Sequence, residues 1–263
     1  MYHTAAGIRW SGQVSDRIER IMLEFFEPLE LLGPADPAST TRALSRVALS
    51  DDSVVVDVGC GTGRQTLQLL QETPANIVAT DLHRSLLDQL RERAAELGFA
   101  DRLRVEQADM SALPFAPGSI DLLWSEGAIY NIGYEQGLRL WLPLLRPGGY
   151  LCVSDGAYFV DAPPTVVREF WEAEYPAIAT CHQLEQLSRD CGYTIVDSFR
   201  LPKEAWDAYY GPVEQRIHAL DAVWGADSER QNVLAAMRHE VDVFRRHGDS
   251  YGYLFLLLQR PID

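Results

Sequence analysis

Lysine is nearly missing from this chain: Lys203 is the single one in 263 residues. A phosphate-cradling P-loop places a lysine directly behind its glycines, so that reading has no residue to carry it. Cations as a whole are scarce, with 23 Lys and Arg against 38 Asp and Glu, for a formal charge of −15. A surface of that sign repels phosphate backbones, and no nucleic-acid partner is expected. No stretch reaches the roughly 18 to 20 apolar residues of a membrane span. The most apolar run near the end, "YLFLLL" at 253–258, has the length of a strand. The opening "MYHTAAGIRWSGQVSDR" carries no apolar block of a secretory signal, so a cytoplasmic location without membrane attachment is expected. Cysteine is sparse too: Cys60, Cys152, Cys181 and Cys191 show no CxxC pairing, so free thiols and no metal site are expected. Internal repeats and low-complexity runs are lacking.

What is present is alternation. Residues 54–58, 76–80, 102–107, 120–124 and 149–154 are short Val/Ile/Leu-rich runs that predict strands. Helical patterns lie between them. In "HRSLLDQLRERAAELG" (83–98), Leu86, Leu87, Leu90, Ala94 and Leu97 recur at helical spacing and Gly98 suits the cap. "YEQGLRLWLPLLRPGG" (134–149) predicts a second helix, stopped by its last residues. Strand and helix in alternation imply a doubly wound, mostly parallel sheet, and apolar strands imply burial on both faces. The composition, 47% hydrophobic and 23% charged, is that of a soluble globular protein.

Outside this core the pattern changes. "SDRIERIMLEFFEPLELLG" (15–33) puts Ile18, Ile21, Met22, Phe25, Phe26 and Leu29 on one stripe, predicting an N-terminal amphipathic helix. Residues 1–50 are expected to hold N-terminal helices and a lid, in which His3, Arg9 and Trp10 would matter only if that segment folds over the site. Beyond Asp155 two helices (162–192), the strand 193–201, a helical insert (about 203–247) and the final strand 252–260 are predicted. The chain thus reads as a single domain, 1–263, with cap insertions at 156–192 and 202–250.

The stretch "VVVDVGCGTGRQT" (54–66) opens the first strand-to-helix turn with glycines at 59, 61 and 63. A dinucleotide fingerprint, G-x-G-x-x-G, would need glycine at 64, where Arg64 stands. The neighbouring acids then define the ligand. Asp57, at the end of the first strand, can hold an ammonium group through water or backbone. Asp81 ends the second strand in "NIVATD", where a carboxylate can accept from two ribose hydroxyls. Asp109 follows the third strand and can accept from an exocyclic adenine amine, while Met110 packs on the ring. Ribose, adenine and a cationic amino-acid part without pyrophosphate describe S-adenosylmethionine and not NAD.

The blocks "VVVDVGCGTG" (54–63), "NIVATD" (76–81), "QADMSALPF" (107–115), "IDLLWSEGAIYNI" (120–132) and "LLRPGGYLCVSD" (144–155) together resemble the class I S-adenosylmethionine-dependent methyltransferases. The string "WSEGAIYNIGYEQGL" resembles bacterial small-molecule methyltransferases related to the quinone-methylating type. The resemblance implies a seven-stranded sheet whose last strand is antiparallel. It further implies that Gly59 and Gly61 let the cofactor's methionine part lie on bare backbone, that Asp81 with its neighbour Leu82 takes the ribose, and that Asp109 and Met110 frame the adenine. Ser125 would approach the methionine end, and Gln65 and Thr66 would open the helix whose free N–H groups meet the cofactor carboxylate.

Methyl transfer by in-line displacement from a sulfonium needs alignment and exclusion of water more than a universal catalytic group; proximity alone contributes roughly 7 to 11 kcal/mol. A general base adds about 10² to 10⁴-fold where the acceptor must lose a proton. The candidates are Glu126, Tyr130 and Asn131 in "SEGAIYNIG", then Asp155 and Tyr158 after the fifth strand. Trp171, Tyr175, Trp206, Tyr209 and Tyr210 are divided between core packing and an acceptor pocket. The loop after the fourth strand lacks the Asn/Asp-Pro-Pro-aromatic string found in methyltransferases of nucleic-acid amines, and a small-molecule acceptor is expected, with S-adenosylhomocysteine as by-product. A homodimer through the cap or N-terminal helix, a nucleotide-dependent oxidoreductase, and a silent cofactor-binding module stay open.

Overall fold

The computed structural model describes residues 16–29 and 31–262. His3, Arg9 and Trp10 lie outside them. The chain divides into two compact units. Of the described residues, the larger comprises 36–155, 181–201 and 253–262; the smaller comprises 16–29, 31–35, 156–180 and 202–252.

The larger unit holds the sheet. Its strands are β1 (Val54–Val58), β2 (Asn76–Asp81), β3 (Leu103–Gln107), β4 (Ile120–Glu126), β5 (Leu145–Tyr158, as far as Asp155), β7 (Thr194–Arg200) and β8 (Tyr251–Gln259, from Tyr253). They run in the order β3-β2-β1-β4-β5-β8-β7. Pairs β1–β2, β1–β4, β2–β3 and β4–β5 are parallel, while β7 and β8 are antiparallel. Val55, Val56, Leu122 and Leu123 are wholly buried, which is the double-faced covering that apolar strands require. The expected seven strands are all present. An eighth, β6 (Ala179–Thr180), is two residues long and pairs with the outer end of β5 in the smaller unit.

Helices α2 (Pro37–Leu44), α3 (Arg64–Glu72), α4 (Arg84–Glu96), α5 (Tyr134–Trp141) and α7 (Cys181–Asp190) belong to the same unit. Asp36 caps α2 by accepting from Ser39 N at 2.8 Å, and Pro37 fits its first turn. In α4 the residues Leu86, Leu87, Leu90 and Ala94 are buried as their spacing predicts, whereas Leu97, past the helix end, is 50% exposed. The helix expected over 134–149 stops at Trp141. Pro143 cannot donate the next helical bond, and Leu145 already pairs with Ile120 in the sheet. Stacked rings of Phe199 and Phe255, 4.9 Å apart, and the buried Trp124 beside Phe255 fill the core under β8.

The smaller unit is helical, with α1 (Asp16–Phe26), α6 (Thr165–Glu174), α8 (Lys203–Trp224) and α9 (Ser228–His247). The N-terminal stripe is buried at Ile21, Met22, Phe25, Phe26 and Leu29. Its helix ends at Phe26 and not near residue 33, since Pro28 disfavours helical backbone at the residue before it. Glu24 ties three partners together: Arg230 at 2.7 Å, the Trp224 indole at 2.9 Å, and Arg216 through its carbonyl at 2.7 Å. Trp206, Tyr209, Tyr210, Phe244 and Tyr251 form a buried aromatic core.

Candidate cofactor site

The larger unit gathers its chemistry at the carboxyl ends of β1, β2 and β4. Where β1 ends, the N–H groups of Gly59 and Cys60 both donate to Thr80 O, at 2.8 and 3.0 Å, which turns the chain sharply along β2. Gly59 has φ of +73°, and a Cβ there would stand 2.6 Å from Ala128 Cβ and 3.2 Å from Met110 Cε. Only glycine fits. Gly63, at φ +83°, precedes α3, and a Cβ on it would collide with Leu90 at 2.2 Å. The bare backbone predicted from the glycine spacing therefore answers to close packing as well as to a turn.

Three acids converge on this loop. Asp81 is held by two backbone donors, Gly61 N at 3.0 Å and His83 N at 2.9 Å. Asp57 is 2% exposed and accepts from the Thr66 hydroxyl at 2.5 Å. Burial pushes its carboxyl up to about 7; the Thr66 bond opposes this, and repulsion from Glu126 and Asp81 adds to it. Glu126, half-buried at the end of β4, accepts from Thr40 Oγ1 and Trp124 Nε1, both at 2.9 Å, and from Gln65 Nε2 at 3.3 Å. Burial lifts it to about 7 as well, against those three bonds and the pull of Arg64. The donors named here to Asp57, Asp81 and Glu126 are hydroxyls, an indole, a side-chain amide and backbone N–H groups, all neutral. Carboxylates so arranged suit a ligand that brings positive charge, and they disfavour a pyrophosphate. This donor set fits the sulfonium nucleoside that the acids of the sequence pointed to.

Met110 reaches the glycine loop through its Cε, and its carbonyl accepts from Trp141 Nε1 at 2.9 Å. Asp109 is exposed and accepts from Ser111 N at 2.8 Å and Ser111 Oγ at 2.7 Å, bonds that hold its carboxyl below the ordinary range. Leu82 is 49% exposed beside Asp81. Ser125 is wholly buried; its hydroxyl donates to Val58 O at 3.0 Å and braces β4 against β1. Beyond β4, Gly127 N donates to Ser154 Oγ at 2.9 Å, Tyr130 is half-buried, and Asn131 turns its amide onto Ala128 O at 2.8 Å. The Asn131 carbonyl oxygen is buried and makes no hydrogen bond. Asp155 follows Ser154, the register partner of Glu126 across the β4–β5 pair. The fifth strand runs on to Tyr158, so Asp155 sits inside it, wholly buried, with its charge felt at Tyr134.

Thr40, Arg64 and Trp124 were not among the expected site residues. Thr40 is 86 positions from Glu126, and nothing in "DPASTTRAL" marks it locally. Among the described residues no group of three or more His, Cys, Asp and Glu is arranged to hold a metal, and no helix is long and apolar enough to cross a membrane.

Residues 55–149 match the protein family described as "Methyltransferase domain". The methyltransferase GfsG of Streptomyces halstedii is 32% identical over 128 residues, covering 48% of this chain and 46% of the relative. The trans-aconitate 2-methyltransferase of Deinococcus radiodurans is 42% identical over 103 residues, 38% of this chain and 36% of that one. The chain thus spans about half or less of the length of these two curated relatives. Among solved structures, a Geobacter sulfurreducens S-adenosylmethionine-dependent methyltransferase in complex with S-adenosylhomocysteine superposes with a TM-score of 0.76 at 20% identity, covering 91% of this chain and 97% of that one. The cyclase SpnF superposes with a TM-score of 0.72 at 19% identity, covering 99% and 98%.

Proposed function

We propose that this chain, a class I S-adenosylmethionine-dependent methyltransferase by its core domain, moves the cofactor's methyl group to a small-molecule acceptor. The observation that carries the reading is the meeting of Asp57, Asp81 and Glu126 around a glycine turn that tolerates no side chain at residue 59. When bound, the cofactor supplies an electrophilic methyl on a sulfonium. Asp81, already oriented by two backbone N–H groups, keeps lone pairs for the ribose hydroxyls. Asp57 and Glu126 meet the ammonium and sulfonium charge, and Met110 borders the adenine.

Glu126 has a second role open to it. With its carboxyl at about 7 it can take a proton from an acceptor hydroxyl or amine near neutral pH, which makes it the preferred general base over Asp155. Tyr130 and Asn131 follow it in the same loop and line the acceptor side. The acidic surface, −15 overall, favours a diffusible acceptor over a nucleic acid. The four free cysteines suit a reducing, cytoplasmic compartment. We read the chain as one methyltransferase with the segments 156–180 and 202–252 inserted.

Incubation of the purified chain with S-adenosylmethionine and a panel of candidate acceptors, reading S-adenosylhomocysteine, tests the reading. Acceptor-dependent release supports it; binding without release across O, N, S and C nucleophiles favours a second reading. That alternative, a cofactor-binding fold that no longer methylates, draws on the likeness to SpnF, which is named as a cyclase.

A further inference from the structure

The two oxygens of Glu126 are not equivalent. Oε1 accepts from both Thr40 Oγ1 and Trp124 Nε1, each at 2.9 Å. Oε2 accepts from Gln65 Nε2 alone among the described residues, at the longer distance of 3.3 Å. A carboxylate oxygen offers about two acceptor positions. Oε1 is therefore filled, and Oε2 keeps one position open.

Both donors to Oε1 are firmly supplied from within the larger unit. Trp124 is wholly buried in β4, its ring edge-on to Phe255, and an indole N–H can only donate. Thr40 is 1% exposed on α2. Asp36 O is 3.5 Å from its hydroxyl, so Glu126 is the nearer acceptor. The helix itself is pinned by bonds that do not involve Thr40. Asp36 caps it, Thr41 Oγ1 donates to Glu72 at 2.8 Å, and Gln68 Nε2 donates to Pro37 O at 2.8 Å. Arg42 adds a two-point pair with Asp197, both contacts at 2.9 Å. With α2 held by these, the distinct contribution of the Thr40 hydroxyl is its bond to Glu126.

The charges around that carboxyl come from three further elements. Asp57 of β1 and Glu126 repel each other, Arg64 of α3 attracts Glu126, and the Cys152 thiol of β5 lies within its field. Burial pushes the Cys152 thiol up, so it stays protonated. Asp57 has a donor of its own, Thr66, which no change at residue 40 removes.

We propose that Thr40 is a positioning residue: with Trp124 it occupies Oε1 of Glu126 and so makes Oε2 the oxygen that meets a ligand's positive charge or takes a proton. That the ligand is S-adenosylmethionine rests on the methyltransferase reading; the division between the two oxygens does not. Donation by Thr40 favours the ionised carboxyl. Without it the group titrates higher, and at neutral pH less of it carries the charge that a cation needs.

Carbon-13 NMR of the glutamate-labelled full chain, with the Glu126 carboxyl assigned through Glu126→Gln, reads the first half of this directly. Thr40→Val and Thr40→Ala should each raise the Glu126 midpoint by about one pH unit. Calorimetry with S-adenosylmethionine reads the second half. Affinity should fall about fivefold at pH 7 and return to within about twofold of wild type at pH 8.5. Thr40→Ser, which keeps the hydroxyl, should follow the wild-type curves. Thr41→Val loosens the same helix at Glu72 instead, and should lower the melting temperature without moving the Glu126 midpoint. An unmoved midpoint in Thr40→Val and Thr40→Ala would overturn the proposal. So would an affinity loss equal at every pH, a Thr40→Ser chain that matches Thr40→Val, or a midpoint moved as far by Thr41→Val. If the wild-type chain takes up no S-adenosylmethionine while the carboxyl midpoints shift as expected, the methyltransferase reading falls and the positioning of Glu126 by Thr40 stands.

Discussion

Replacing Asp81 by alanine should separate ligand binding from folding more cleanly than any other single change. Its two oxygens each accept one backbone N–H in the protein alone, from Gly61 and His83. A carboxylate offers about four acceptor sites, so roughly two are left for the hydroxyls of a ribose. Hydrogen bonds to a charged group contribute about 1.5 to 3 kcal/mol each. Loss of two therefore weakens S-adenosylhomocysteine by about 3 to 6 kcal/mol, or roughly 10² to 10⁴-fold. The cost to the fold is smaller, because Gly61 and His83 are both half-buried and water can reach their N–H groups. About 1 to 2 kcal/mol of stability should go, and the melting temperature should fall by roughly 2 to 8 °C. Calorimetric titration and a thermal melt on the same sample read both quantities. An affinity within threefold of wild type, in a variant that melts as predicted, would refute the assignment of Asp81 to the ribose.

Two further outcomes follow from the same geometry. Asp57 and Glu126 ordinarily titrate at 3.8 and 4.5 but stand at about 7 in the fold. The stability they contribute is thus fully present below those ordinary values and is lost as pH rises through 7. A cationic ligand reverses the preference, so S-adenosylmethionine should bind about tenfold or more tightly at pH 8 than at pH 6; Glu126→Gln should flatten that slope and raise the melting temperature at pH 8, and an unchanged slope would count against Glu126 facing the cofactor. Gly59→Ala forces a Cβ to within 2.6 Å of Ala128 at positive φ; it should cost about 2 to 4 kcal/mol in a urea melt, and a neutral result would mean that the turn is looser than its packing implies.

The sheet was legible because strands buried on both faces must be apolar throughout: "VVVDV" and "IDLLW" name their own positions, and β1 begins and ends where its run does. Glycines 59, 61 and 63, with acids at strand tips, likewise mark the loop in the sequence itself. What escaped the sequence was direction and distance. Ser125 was placed correctly at the end of a strand, but nothing in "WSEG" says that its hydroxyl turns back to Val58. Asp155 follows an apolar run that looks finished, yet two residues from 179–180 extend the strand past it. The expected helix over 134–149 obeyed its apolar spacing until Pro143 ended it, while sheet pairing claimed the residues beyond. Thr40 reaches Glu126 only because α2 folds back over a separation no local pattern encodes.

The central claim is that carboxylates at three strand ends receive a positively charged nucleoside with no diphosphate. Titrating the purified chain in parallel with S-adenosylmethionine, S-adenosylhomocysteine and NAD measures it directly. The account predicts one-to-one binding of the first two and no detectable heat with NAD; NAD binding in the absence of either sulfur nucleoside would contradict it.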